Sequence, residues 1–430
     1  MKVLVLGSGA KDHALAWWIS KSSLLSGLYM AKGNAATEDY AVRLPDVDPS
    51  SKEDVYAAVL AYGIDLVVIG TEAPLSSGVI EYLKERGIKT FGAPEGSIRL
   101  EDDKEFSRKF AERHGIRIPP RQLFQSKDGL EDFLSAHAKE EFIVKSNNIS
   151  PSRETLRSHD YESLLEYSKH MLKRGAVLIE KFIPGLPITA TILLDDEGYM
   201  MLPIASEYTE KDEDDNTPTG GMGAICPVPI DDEIMAKVEE KIIKPTLSGM
   251  LGDGISYKGV LTFSIIIPED RDPVLVDYHV RFNDPAAQAF IPLVKNDFLE
   301  IVEAMNRNNL KNVKLSSYGG FSVAVVLASE GYPVSPVIGR DVKGLTAFRR
   351  AKVRGLAEVF VGAVDKINGR EVTVGGRNIT VVGIGENLED ANKMAYNAVK
   401  DFQIEGGWFR RDIGNKFFDE NREKLSLGRT

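Results

Sequence analysis

"KVLVLGSGAKDHALAWWI", residues 2–19, is the stretch whose reading decides the fold. Val3 to Leu6 form an unbroken apolar run, the mark of a parallel strand covered on both faces. The run ends in Gly7-Ser8-Gly9, and an alanine-rich helical segment carrying Trp17 and Trp18 follows. A buried strand, a glycine turn and a helix in that order form the opening unit of a doubly wound domain. "GIDLVVIGTEAPL" (63–75) repeats the design, and "YLKERGIKTFGAPEGS" (82–97) adds a helix and a short strand. Strands alternating with helices therefore predict a Rossmann-like α/β domain over roughly the first 120 residues, with ligands at the carboxyl ends of its strands.

Beyond it the texture changes. Pro119 and Pro120 forbid helix continuation in "HGIRIPPRQLF", which reads as a connector. Strands are expected at 142–145 and 176–182, flanking a polar helix near 160–174. "PITATILLDDEGYMMLPIASEY" (187–208) reads as a hairpin with an Asp-Asp-Glu-Gly turn, and "SYKGVLTFSIIIPEDRDPVLVDYHVRF" (256–282) as a second, longer one. "FSVAVVLAS" and "RNITVVGIG" are further strands, and "LEDANKMAYNAVKDF" is a helix. The expected fold class is α/β: a Rossmann-like front end over 1–120, a mixed-sheet middle divided at 121–187 and 188–320, and a small α+β end over 321–430.

Bulk properties exclude several functions. With 430 residues, 43% of them hydrophobic, the chain can bury the cores of about three domains. The net charge of −11 argues against a nucleic acid or an anionic membrane as partner, since both want a basic face. One cysteine, Cys226, rules out a disulfide framework and a cysteine-rich metal site, and suits a reducing compartment. No stretch approaches the ~18 uninterrupted apolar residues of a membrane span. These properties point to a cytoplasmic protein with small-molecule partners.

Few motifs speak for chemistry by themselves. Gly7 and Gly9 let a backbone approach an anion beside a helix N-terminus, yet an ordinary tight turn explains them as well. His13 is by default a capping or core histidine. "PTGGMGA" (218–224) has the low bulk of a loop bent around a substrate, although an ordinary glycine turn is the simpler reading. "VDYHVRFNDPAAQ" (276–288) is the strongest constellation. On a strand, Asp277, His279 and Arg281 share one face while Tyr278 and Val280 take the other. Asp and His so spaced can share a divalent cation, with the arginine gripping an anion; a solvated edge strand with a salt bridge competes evenly. Lys145 closes a buried-looking strand, whereas Lys104 reads as a surface lysine. Trp17, Trp18 and Cys226 read as packing.

Taken in order, these segments resemble the phosphoribosylamine–glycine ligase family (glycinamide ribonucleotide synthetases) of the ATP-grasp superfamily. The resemblance runs nearly end to end, through "VLVLGSGAKDHALAW", "KGNAAT" (32–37), "GTEAPL" (70–75), "FGAPEGSIRLEDDKEFSRKF" (91–110), "TGGMGA", "RFNDPAAQ", "GYP" (331–333), "GGR" (375–377) and "FRRDIG" (409–414). It implies an ATP-grasp middle, with a lid subdomain over 121–187 and a central subdomain over 188–320. It also implies a reaction in which ATP, glycine and 5-phosphoribosylamine give glycinamide ribonucleotide, with Mg²⁺ or Mn²⁺ as cofactor, in a monomer or weak homo-oligomer. By position, Lys104 and Lys145 would contact the ATP phosphates, and Glu180, Lys181 and Ile183 would lie on the hinge strand that reads adenine. Asp277 and His279 would take the metal positions, with Arg281 and the lid cation Arg153 acting in catalysis. Gly7, Gly9, Asn34, Glu72, Pro74, Gly220, Gly221, Met222 and Asp284 would face the substrates.

The family pattern also implies a glycine-rich lid after the strand lysine, and here "KSNNISPSRET" (145–155) has lost every glycine of it, at Asn148, Ser152 and Glu154. Glu154 would repel a triphosphate by about 1 kcal/mol or more at an effective dielectric of about 20. Asp277 and His279 stand where the family carries Glu and Asn, and imidazole is a poor ligand for Mg²⁺. Pro187 replaces a ribose-gripping Glu, and the family's Asp-His-Lys and Gly-Pro-Asn-Thr have become "SEYTEKDEDDNTPT" (206–219). Three readings stand: a divergent working ligase, a related ATP-grasp ligase for another acid or amine, and an inactive paralogue that binds or regulates.

Overall fold

A computed structural model describes residues 1–147, 155–346 and 357–418. Strand Lys2–Gly7 is the middle of a five-stranded parallel sheet, ordered Val42–Leu44, Gly27–Lys32, Lys2–Gly7, Leu66–Ile69, Lys89–Phe91. The apolar run has no polar alternation because both faces are covered. Val3 and Val5 pack with Leu15, Trp17 and Trp18 of helix Ala10–Ile19. Leu4 and Leu6 pack toward Val55 and Val59 of helix Lys52–Tyr62 on the other side. Each such side chain, fully buried, contributes about 1.5–3 kcal/mol. Strand order reverses at Lys2–Gly7, which sets the turns at Gly7 and Gly70 side by side. The carboxylate of Asp12 fills the crevice between them. A Cβ on Gly7, where φ is +149°, would lie 2.2 Å from Asp12 Oδ2, and one on Gly70 would lie 2.8 Å from Oδ1.

Among the described residues, three antiparallel sheets of four or five strands follow. The first orders Arg121–Phe124, Val177–Lys181, Phe142–Ser146 and Thr155–Ser158, with helices Leu130–Ala136 and Tyr161–Met171 closing its own apolar cluster. The second orders Tyr199–Met201, Leu186–Leu194, Gly259–Ile267 and Val274–His279, so both expected hairpins form. The third orders Ser206–Glu210, Pro218–Cys226, Phe321–Ala328, Arg377–Gly385 and Ala357–Val361, under helix Leu388–Val399. "PTGGMGA" is thus a strand, and the glycine turn expected from its composition is corrected. Its glycines answer to crowding: a Cβ on Gly221 (φ +107°) would meet Pro285 Cδ at 2.5 Å, and one on Gly223 would meet Ala324 O at 2.7 Å. Trp17, Trp18 and Cys226 are buried packing residues. His13 is a core residue that accepts the Val361 N–H at Nδ1 (3.2 Å), tying the first domain to the last.

Candidate functional site

A cavity of about 820 Å³ opens between the first two antiparallel sheets and is walled by strand Ser206–Glu210 and the C-terminal segment. Its floor is strand Val274–His279. Ser264 pairs with Asp277 but Ile265 pairs with Leu275, so Val276 is bulged out and strand direction is adjusted just before Asp277. Past the bulge the expected alternation holds: Tyr278 is buried in the core, while Asp277, His279 and Arg281 all line the cavity.

Charge is concentrated on Asp277. Lys104 Nζ lies 2.8 Å from its Oδ1, Arg108 Nη2 3.1 Å from the same oxygen, and Lys145 Nζ 3.2 Å from Oδ2. Glu180 completes the cluster, taking Arg108 Nε at 2.6 Å and Lys145 Nζ at 2.8 Å. Three cations thus face two carboxylates, within side chains that are mostly out of water. Burial alone would raise the Glu180 pKa, but Arg108 and Lys145 outweigh it and bring it to about 2. Burial opposes ionisation of Asp277 too, and Lys104, Lys145 and Arg108 hold it well below the ordinary carboxylate range. Lys145 is raised despite its burial, by Asp277 and Glu180.

Local structure explains the aim of these groups. Lys104 and Arg108 stand four residues apart on helix Lys104–Arg113 and so share a face. Asp103 caps that helix through the Phe106 N–H (3.0 Å). Asn147, the first residue past the lid strand, accepts the Glu105 N–H at its side-chain oxygen (2.8 Å) and the Lys104 N–H at its carbonyl (3.0 Å). Orphan donors of the helix start are thereby tied to the strand that carries Lys145. The signal of Arg108 in the sequence is its i+4 spacing from Lys104. Glu101 sits in an acidic run that hides its role. Its carboxylate takes Arg281 Nη2 (2.9 Å), the Val280 N–H (2.9 Å) and His279 Nδ1 (3.2 Å).

Both residues of the expected metal pair are engaged with protein partners in this structure. Both oxygens of Asp277 are held by cations, and His279 has Glu101 at one ring nitrogen and the Ser264 hydroxyl at the other (3.0 Å). Among the described residues no group of three or more His, Cys, Asp or Glu side chains is arranged to hold a metal ion. A divalent cation at Asp277 would have to displace Lys104, Arg108 or Lys145 from its oxygens.

Lys104, Lys145, Glu180, Lys181, Ile183, Asp277, His279 and Arg281 all line the one cavity. Glu180 lies on strand Val177–Lys181, with its carboxylate engaged by Arg108 and Lys145. The Lys181 N–H bonds Pro120 O and the Phe182 N–H bonds Glu141 O, while the Ile183 N–H has no partner among the described residues. The remaining expected contacts lie outside the cavity. The Gly9 N–H is taken by Asp12 Oδ2 (2.9 Å), so the glycine turn holds a carboxylate of its own chain. Asn34, 3% exposed, donates to Ser8 O and Val361 O and accepts from the Ala36 N–H. Met222 is wholly buried with Val326 and Ala328. Gly220, Gly221 and Asp284 meet at Arg377, whose Nη1 reaches Gly220 O (2.6 Å) and Asp284 Oδ1 (2.9 Å). Glu72 opens helix Glu72–Ser76, in which Pro74 is buried. Arg153 and residues 148–154 of the expected lid lie outside the described residues.

Models of phosphoribosylglycinamide synthetase domains match the chain in series: the N domain over residues 1–101, the ATP-grasp (A) domain over 102–287 and the C domain over 322–416. The phosphoribosylamine–glycine ligase of Caldanaerobacter subterraneus subsp. tengcongensis is 31% identical over 427 residues, covering 96% of this chain and 99% of that protein. The corresponding ligase of Chlorobaculum tepidum is 31% identical, with 97% and 100% covered. The crystal structure of phosphoribosylamine–glycine ligase from Thermotoga maritima superposes with a TM-score of 0.80 at 26% identity, covering 96% of this chain and all of that one.

Proposed function

Because the chain belongs to the phosphoribosylglycinamide synthetase family, we propose that it is an ATP-dependent ligase joining glycine to 5-phosphoribosylamine. A glycine carboxylate oxygen attacks the γ-phosphorus of ATP and ADP leaves. The amine then attacks the acyl carbon of the resulting acyl phosphate, phosphate leaves, and the nitrogen gives up a proton. The products are glycinamide ribonucleotide, ADP and phosphate, within purine biosynthesis.

The convergence of Lys104, Arg108 and Lys145 on the cavity between two sheets is the observation that carries this reading. Lys104 and Lys145 would place two ammonium groups on the phosphate oxygens, stabilising charge that builds up during transfer. Arg108 and Glu180 keep them in position, and Asp277 serves as their counter-ion before the nucleotide arrives. The unpartnered Ile183 N–H supports adenine recognition at the hinge. Arg281, held by Glu101, and the lid cation Arg153 would complete the cationic surface. Gly7, Gly9, Glu72, Pro74, Gly220, Gly221 and Asp284 are assigned to the phosphoribosyl side. No helix among the described residues is long and apolar enough to cross a membrane, and action in the cytoplasm as a monomer or weak homo-oligomer belongs to the proposal.

The test is phosphate release by the purified protein with ATP and Mg²⁺ or Mn²⁺. Release that requires both glycine and 5-phosphoribosylamine, with amide product, is expected. Release with another acid–amine pair only would reassign the substrates, and no ATP binding at millimolar metal would leave the chain a binding or regulatory paralogue.

A further inference from the structure

Among the described residues, one cation of the cavity wall makes no ion pair. Strand Ser206–Glu210 and the C-terminal segment line the cavity together, and Gly414 donates its N–H to the Tyr208 hydroxyl (2.8 Å), fastening one to the other. Two residues later, Lys416 lies on the short helix Asn415–Phe417. Its ammonium sits 4.6 Å from the centre of the Tyr208 ring and 5.1 Å from that of Phe417. The charged groups around it are Arg410, Asp412 and Glu210. Both carboxylates are already committed: Asp412 takes Arg410 Nε at 2.8 Å, and Glu210 takes Arg157 Nη1 at 2.7 Å. Among the described residues Lys416 makes no ion pair and no hydrogen bond. A half-buried ammonium beside two aromatic faces is stabilised in part by their π-systems, but its three N–H donors still want an acceptor.

We infer that Lys416 is an anion-binding residue of the cavity, set to receive a carboxylate or phosphate oxygen of a substrate at the wall formed by Ser206–Glu210. The inference deepens the ligase reading and rests on it for the identity of the substrate. The surroundings agree with the geometry. Burial and the neighbouring Arg410 push the Lys416 pKa down to about 8, so an arriving anion stabilises a charged form that the fold disfavours. An ammonium kept at a cost to folding, facing a cavity, is the arrangement expected of a ligand contact.

The experiment compares the wild type with Lys416→Gln and Lys416→Arg. In turnover assays at pH 7, Lys416→Gln is expected to raise KM for glycine or for 5-phosphoribosylamine, or Kd for ATP, by about tenfold or more, as loss of a charged hydrogen bond does. Which constant moves identifies the source of the anion, and Lys416→Arg is expected to restore it. Lys416→Gln is also expected to melt at a higher temperature than the wild type, because it removes an unpaired cation. A purely structural lysine would do the reverse. Inorganic tripolyphosphate binding by calorimetry serves as a readout that does not need the ligase reaction: the wild type should bind more tightly than Lys416→Gln at pH 7, and the gap should close as the pH rises above about 8. A wild type that turns over no glycine overturns the ligase reading alone. Unchanged substrate constants and unchanged tripolyphosphate affinity in Lys416→Gln overturn the inference.

Discussion

Asp277 meets Lys104, Arg108 and Lys145 at 2.8–3.2 Å, so its substitution should behave as the loss of a counter-ion. Asp277→Asn leaves three cations facing Glu180 alone. The expected loss is about 2–3 kcal/mol, below that of a fully buried pair because the side chain is 17% exposed. Thermal unfolding with and without Mg²⁺ measures it. A variant that keeps its melting temperature but needs tenfold more Mg²⁺ to bind ATP would make Asp277 a metal ligand after all. Lys145→Ala is expected to abolish nucleotide binding by calorimetry, since it removes a phosphate contact and leaves Glu180 and Asp277 less well neutralised. Unchanged ATP affinity would withdraw Lys145 from the nucleotide site. At this scale the sequence was uneven as a guide. Asp277, His279 and Arg281 shared a face as their alternation requires, whereas Arg108 and Glu101 stayed hidden because each looks like an ordinary helix charge.

Helix Lys104–Arg113 and the strand ending at Ser146 act as one element, because Asn147 closes both. Asn147→Ala removes a side-chain acceptor from a helix start and should cost about 1 kcal/mol, with a few-fold weaker ATP binding as Lys104 loosens. Paired melting and binding curves decide it; no change in either would mean that Asp103 alone suffices. Strand Pro218–Cys226 is the other element where a single change should tell. Gly221→Ala puts a methyl group 2.5 Å from Pro285 Cδ at φ +107°, with an expected destabilisation of about 1–3 kcal/mol by chemical denaturation. A variant as stable as the wild type would show that the strand can shift away from Pro285. Composition suggests a turn here because glycine signals bending, but Gly221 and Gly223 serve close packing, which only the neighbouring strand Phe321–Ala328 and the Asp284–Pro285 segment create.

Across the molecule, the depressed carboxylates set the response to acid. Glu180 is lowered to about 2, and Glu101 and Asp277 lie well below their ordinary range. Unfolded carboxyls titrate near about 4, so the stability from these groups is complete above that pH and is lost as pH falls toward about 2. Melting temperature should hardly change from pH 8 to 5 on their account and should drop steeply below 4; a loss already evident at pH 6 would point instead to groups other than these carboxylates. The two levels of information divide on physical grounds. The apolar run at Val3–Leu6 and its glycine turn settled the first domain, because burial on both faces of a strand leaves a local signature; the collinear motifs, likewise readable along the chain, settled the family. What each charge does was decided by the tertiary structure. Lys104, Lys145, Glu180 and Asp277 come from four elements, and Lys416 from the far end of the chain. Coulombic partners are chosen by distance in space, so no local pattern could tell that Asp277 would neutralise lysines while Lys416 would pair with no carboxylate among the described residues.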